Sequence, residues 1–151
     1  MLPELLTTAV PIAPLQAAGL DAPLVAELFL VGRILFGGVL AFTGLNHFLD
    51  TESMVGYADA KGVPAAGLAV PVTGGMLVFG GLGIALGILP TLAAGALVVF
   101  LLVTTPLMHD FWAVPEDQRQ SEMTAFLKNA GLLGTALVLL ALSATAWPYA
   151  L

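Results

Sequence analysis

The chain contains no cysteine. Disulfides, thiolate metal sites, thiol catalysis and covalent haem attachment are therefore excluded for this polypeptide acting alone. Any redox role must borrow the carrier of its electrons. Charge is scarce as well: 9% of the 151 residues are charged, against roughly a quarter in soluble domains. Bases are scarcer than acids, four against ten, for a net charge of -6. That balance excludes nucleic acid as a partner, because neutralising phosphates requires clustered Lys and Arg. A basic start followed by a clean apolar run, the mark of a signal peptide, is also lacking, since Pro3, Pro11, Pro14 and Pro23 interrupt the first 25 residues.

What the chain has instead is apolar length. It is 59% hydrophobic with a mean hydropathy of +1.01, and apolar windows recur at about 24–48, 66–89, 91–109 and 125–147. Each is close to the ~20 residues that cross ~30 Å of hydrocarbon as a helix. The windows are continuous and do not alternate, which rules against a transmembrane barrel. The expected fold is all-α, an integral membrane four-helix bundle forming one domain over residues 24–151. Residues 1–23 form an interfacial or irregular lead-in, with a short helix near Pro3 to Ala9.

Local signals set the boundaries. Asp21, Ala22 and Pro23 make a helix start, since a carboxylate accepts free N–H groups and Pro fits a first turn. Asp50 is placed to cap a short surface helix over Thr51 to Lys61, ended by Gly62 and Pro64. The second span carries Pro71, where a kink is expected, and seven glycines, of which Gly83 and Gly87 have small-xxx-small spacing. Pro90 leaves almost no loop before the third span, so those two spans form a tight hairpin. Ser121 or a neighbour is the expected cap of the fourth span, which ends at Trp147, Pro148 and Tyr149 in the aromatic belt. Lys61, Arg119 and Lys128 flank the 1–2 and 3–4 connections. The positive-inside rule then places those loops in the cytoplasm and both termini outside the cytoplasmic membrane.

Arg33, Gly37, Leu40, Gly44 and His47 share one stripe of the first helix at 100° per residue. That stripe is expected to face the bundle, with Gly37 and Gly44 as packing positions. Arg33 and His47 are separated by about 21 Å along the axis, so two polar zones result. The first gathers Asn46, His47 and Asp50 with His109 and Asp110. It is chemically suited to hydrogen-bonding a quinone head group or relaying protons, and equally to the ordinary work of capping helix ends at an interface. No HxxxH or ExxH spacing supports a metal site. The second zone is Arg33 alone, since no acid occurs in the interior of the later spans. Its partners are sought among carbonyls, the hydroxyls of Thr91 or Ser143, a lipid phosphate, a ligand or a partner subunit, unless it snorkels to the head groups. Phe111 and Trp112 either stack on a ring or anchor the third span.

Taken together, ArgIleLeuPheGly at 33–37, ThrGlyLeuAsnHisPheLeuAsp at 43–50, GlyTyrAla at 56–58, LysGlyValPro at 61–64, GlyGlyLeuGlyIleAlaLeuGly at 80–87 and HisAspPheTrp at 109–112 resemble the DoxX family of small four-helix membrane proteins, over about residues 28–147. The resemblance implies a cytoplasmic-membrane bundle in a family linked to redox systems, whose relatives include membrane subunits of thiosulfate:quinone oxidoreductase. It maps Arg33, Asn46, His47, His109, Phe111 and Trp112 onto the family's recurrent polar and aromatic positions. One departure is the apolar stretch Met76 to Phe79, where many relatives carry an acid.

The leading expectation is a membrane subunit that binds or positions a quinone or another apolar redox partner. Arg33, Asn46, His47, His109, Asp110 and Trp112 are its candidate ligand-binding residues, and Gly37, Gly44, Gly83 and Gly87 its packing positions. No intrinsic cofactor and no metal are expected. If an enzyme is involved, the chain is an accessory subunit of an oxidoreductase and not a self-sufficient catalyst. The alternative is a non-enzymatic structural, assembly or lipid-binding subunit. Partners are the bilayer, other membrane or redox subunits, and further copies of the chain.

Overall fold

A computed structural model describes residues 19–151. The short helix expected near Pro3 to Ala9, and the lead-in up to residue 18, lie outside the described residues. Among those residues five helices follow in order: α1 (Val25–Leu49), α2 (Thr51–Ala60), α3 (Ala66–Leu86), α4 (Pro90–Met108) and α5 (Glu116–Leu142). All except α2 are long and apolar enough to cross a membrane. The chain is a multi-pass membrane bundle with a short helix between the first two spans.

The bundle is held together where side chains are smallest. Gly37 of α1 lies so close to Gly81 of α3 that a Cβ on either would strike the other's carbonyl oxygen. One heptad further along, a Cβ on Gly44 would come within 2.8 Å of the Gly74 carbonyl. The two antiparallel helices therefore meet backbone to backbone at matched seven-residue steps, which substitutes close van der Waals contact for the hydrophobic drive that lipid does not provide. Leu77, Ile84, Ala94, Leu97 and Leu101 fill the centre between α3 and α4. On the opposite side of α1, Leu28, Leu35, Phe42 and Leu49 are each more than 60% exposed at heptad spacing, a stripe suited to hydrocarbon.

Both helix ends nearest the sites are closed by glycine. Gly62 has φ 76°, and the N–H groups of Gly62 and Val63 donate to the carbonyls of Asp59 and Ala58. Gly87 has φ 75°, with Gly87 and Ile88 donating in the same way to Ile84 and Gly83. This paired pattern satisfies the orphan carbonyls of a last turn and requires a left-handed residue. Gly87 thus stands one residue beyond α3 and terminates it, whereas the Gly83 and Gly87 spacing suggests two positions on one helical face.

Other boundaries differ from the sequence expectation. The second span closes at Leu86, short of 89. Asp50 precedes α2 without a side-chain cap bond. α5 begins at Glu116 after Pro115, ahead of the apolar window at 125, because its first two turns are polar and need no hydrocarbon. Ser121 is inside the helix, its hydroxyl donating to the Gln118 carbonyl. α5 also stops at Leu142, not at Trp147. The residues after it fold back over the bundle end, where the Leu151 N–H donates to the Leu86 carbonyl at 3.0 Å.

Candidate functional site

The early start of α5 brings an acid to the end of the bundle where α1 and α4 finish. Glu122 accepts from His109 Nδ1 at 2.8 Å, and its other oxygen lies 3.8 Å from Lys61 Nζ. Lys61, set at the close of α2 by the Gly62 turn, donates to Asp110 at 2.6 Å. Three separate segments are thereby tied together. The hydrogen bond from Lys61 holds the Asp110 carboxyl below the ordinary carboxylate range, and the same bond holds the Lys61 ammonium above its ordinary value. Burial pushes the Tyr57 phenol up, and its hydroxyl donates to the Met108 carbonyl at 3.4 Å.

Beneath this cluster is a cavity of about 540 Å³. Val39, Leu40, Leu77, Phe100, Leu101 and Leu132 make its apolar walls, and α2 lies across its end through Met54, Tyr57 and Ala58. Polar groups enter at that end and along one flank: His47, His109, Lys128 and Asn129, with Thr43, Thr73 and Thr104. The threonine hydroxyls donate to carbonyls four residues back in their own helices, a bond that satisfies a hydroxyl in an apolar setting. His47 Nδ1 lies 3.1 Å from the Thr43 carbonyl. A carbonyl only accepts, so Nδ1 is the donor, and whenever the ring is neutral Nε2 is an acceptor.

At the other end of the bundle, Arg33 is 1% exposed. Its guanidinium packs against the rings of Phe29 and Trp147, 5.4 and 5.3 Å from their centroids. The rings meet edge to face at 5.2 Å. Nη2 donates to the Tyr149 carbonyl at 3.3 Å, while Nε and Nη1 have no partner. Thr91 and Ser143 bond to each other at 2.9 Å and not to Arg33.

Of the residues singled out by sequence, His47 and His109 line the cavity together. Asp110 joins the ionic cluster above it. Asn46 does not line the cavity, and Trp112 is 58% exposed in an edge-to-face group with Phe111 and Phe126. Sequence reading missed Glu122, Lys61 and Tyr57, and at the far end Phe29 and Trp147. Glu122 was legible through Pro115 followed by the acids Glu116 and Asp117, a helix-start pattern. Phe29 stands four residues before Arg33, on the same helix face. Among the described residues no group of three or more metal-ligating side chains occurs.

A family model described as DoxX matches residues 28–110. No curated protein and no solved structure matches the chain.

Proposed function

The chain belongs to the DoxX family, and on that premise we propose that it binds a ring-bearing apolar ligand with a polar head group, of the quinone class, as a non-catalytic membrane subunit of a redox system. The observation that carries this reading is the cavity. Its size falls in the roughly 300 to 1,000 Å³ range of small-molecule sites, and its walls are largely apolar, with the ionisable and amide side chains gathered at one end. There His47 Nε2 supplies an acceptor for a quinol hydroxyl, while the Asn129 amide and Lys128 ammonium supply donors for a quinone carbonyl. Without cysteine the chain holds no thiolate-ligated centre and no covalently attached haem, so this reading assigns the electron carrier to a partner subunit.

The basic residues support a cytoplasmic position for the cavity end, since Lys61, Arg119 and Lys128 all belong to it and cytoplasmic loops are enriched in Lys and Arg. The Arg33 end then faces outward across the cytoplasmic membrane.

The test is equilibrium binding of a short-tailed benzoquinone to the purified chain in detergent. Wild type binds saturably, and Thr73→Phe, which projects a ring into the cavity, weakens binding at least tenfold. His47→Ala weakens it less. Absence of saturable binding by wild type removes the proposal. A second reading, an assembly subunit, draws on a groove of about 460 Å³ along α3 and α4 bordered by Gly75, Gly80 and Gly83, where a foreign membrane helix would approach closely. A stable complex with another membrane protein on a sizing column favours it.

A further inference from the structure

Arg33 is not explained by the cavity, which is at the opposite end of the bundle. A guanidinium carries five N–H donors and a permanent charge. Here one long hydrogen bond to a neutral carbonyl and two aromatic faces are its visible compensation. Two of its nitrogens are buried with no acceptor, and no salt bridge to it forms among the described residues. Burying a charge without a counter-charge costs several kcal/mol, so the arrangement gives up stability to keep this cation in place.

What covers Arg33 is the segment after α5. Trp147 closes one side of the guanidinium, and Tyr149 presents its carbonyl to Nη2. This cover is held to the rest of the bundle by the long Arg33 hydrogen bond, the Leu151 to Leu86 backbone bond, the hydroxyl bond from Thr91 to Ser143 and the packing of Trp147 on Phe29 and the main core. None of these contacts gives the guanidinium a counter-charge. Tyr149 also has φ 55°, a left-handed conformation that costs a bulky residue energy.

We propose that Arg33 is the base of a binding site for an oxyanion group, an acidic lipid phosphate or a soluble phosphate, and that residues 143–151 are its displaceable cover, with the Tyr149 carbonyl holding the place of an anionic oxygen. When the cover lifts, Nε and one Nη present the planar two-donor edge that binds phosphate oxygens in parallel. Phe29 remains as one wall. The site belongs to the end of the bundle where α1 starts and α5 stops, and Arg33 is about 12 Å along α1 from its start at 1.5 Å per residue, so an anion reaches it by entering from that surface below the head groups.

The test uses Trp147 as its own reporter. In a Trp112→Phe background it is the sole tryptophan, and its emission moves to longer wavelength when the cover opens. The full chain in neutral detergent is titrated with phosphatidylglycerol, with zwitterionic phosphatidylcholine and with inorganic phosphate. Retained lipid is counted by native mass spectrometry. Phosphatidylglycerol is expected to shift the emission saturably and to be retained, and Arg33→Gln is expected to lose both responses. Arg33→Lys, which keeps the charge but not the two-donor edge, binds at least fivefold more weakly. A response to phosphatidylglycerol alone assigns the site to acidic lipid, and an equal response to inorganic phosphate assigns it to the free ion. Circular dichroism confirms that each variant is folded; if Arg33→Gln is not, Arg33→Lys carries the comparison. No response to either anion, or a response unchanged in the folded Arg33 variants, overturns the proposal.

Discussion

The Lys61 ammonium lies 2.6 Å from the Asp110 carboxylate, joining the end of the surface helix α2 to the residues just after α4. Asp110 is held below its ordinary value, so its contribution to stability is present above the unfolded carboxylate pKa and is lost as pH falls through the lower folded one. Lys61 is held above its ordinary value, so its contribution is complete below the unfolded ammonium pKa and is lost as pH rises through the folded one. With ordinary values near 3.9 and 10.4, the pair is intact between about pH 5 and pH 9. Thermal unfolding in detergent should show wild type above Lys61→Met by a constant margin across that window, narrowing in stronger acid and stronger base. A margin that instead changes steadily through neutrality contradicts this assignment.

The α1–α3 contact predicts opposite outcomes at adjacent glycines. Gly37→Ala drives a methyl into the Gly81 carbonyl and should cost about 1 to 3 kcal/mol. Gly38→Ala meets nothing within 4 Å and should be neutral or favourable by up to about 1 kcal/mol through helix propensity. Unfolding of both variants in one detergent checks the pair, and equal effects would count against backbone-to-backbone packing.

Arg33 and Trp147 should also part company. Arg33→Met keeps the volume and removes an under-compensated charge, so the variant should be at least as stable as wild type. Trp147→Ala removes a side chain only 7% exposed and should lose about 3 kcal/mol. A large loss in Arg33→Met, measured by thermal unfolding in neutral detergent, would show that the charge is stabilising after all.

The absence of native cysteine makes topology directly measurable. Ser53→Cys in α2 and Ala146→Cys in the segment beyond α5 each introduce a single thiol at an exposed position. In intact cells a membrane-impermeant maleimide should label Ala146→Cys and spare Ser53→Cys until the membrane is broken. The reverse pattern inverts the bundle.

Much of this architecture was legible in the sequence because hydrocarbon imposes length. Four apolar windows gave the four spans, and Gly62 and Pro64 marked the end of α2. The difficulty came where helices leave the membrane. The polar first turns of α5 carry no apolar periodicity, so the helix start was expected at Ser121 or a neighbour and not at Glu116, and Glu122 was not connected with His109 and Lys61. Conversely, Trp147 closed an apolar window and read with Pro148 and Tyr149 as the interfacial end of the fourth span, although α5 ends at Leu142 and these residues turn back to cover Arg33. His47 and His109 were placed at one end by counting along their helices. The cavity between them depends on how five helices pack, and no local spacing encodes that.

The central claim, that the cavity holds a quinone-class head group, is tested most directly by photolabelling. The purified chain is irradiated with an azido-benzoquinone, digested, and the modified residues are read by mass spectrometry. Labelling concentrated on the cavity walls, in the segments around His47, Thr104 to His109 and Asn129, and suppressed by excess unlabelled quinone or by Thr73→Phe, is the predicted result. Labelling confined to the outward groove of α3 and α4, or unaffected by competitor, would contradict it.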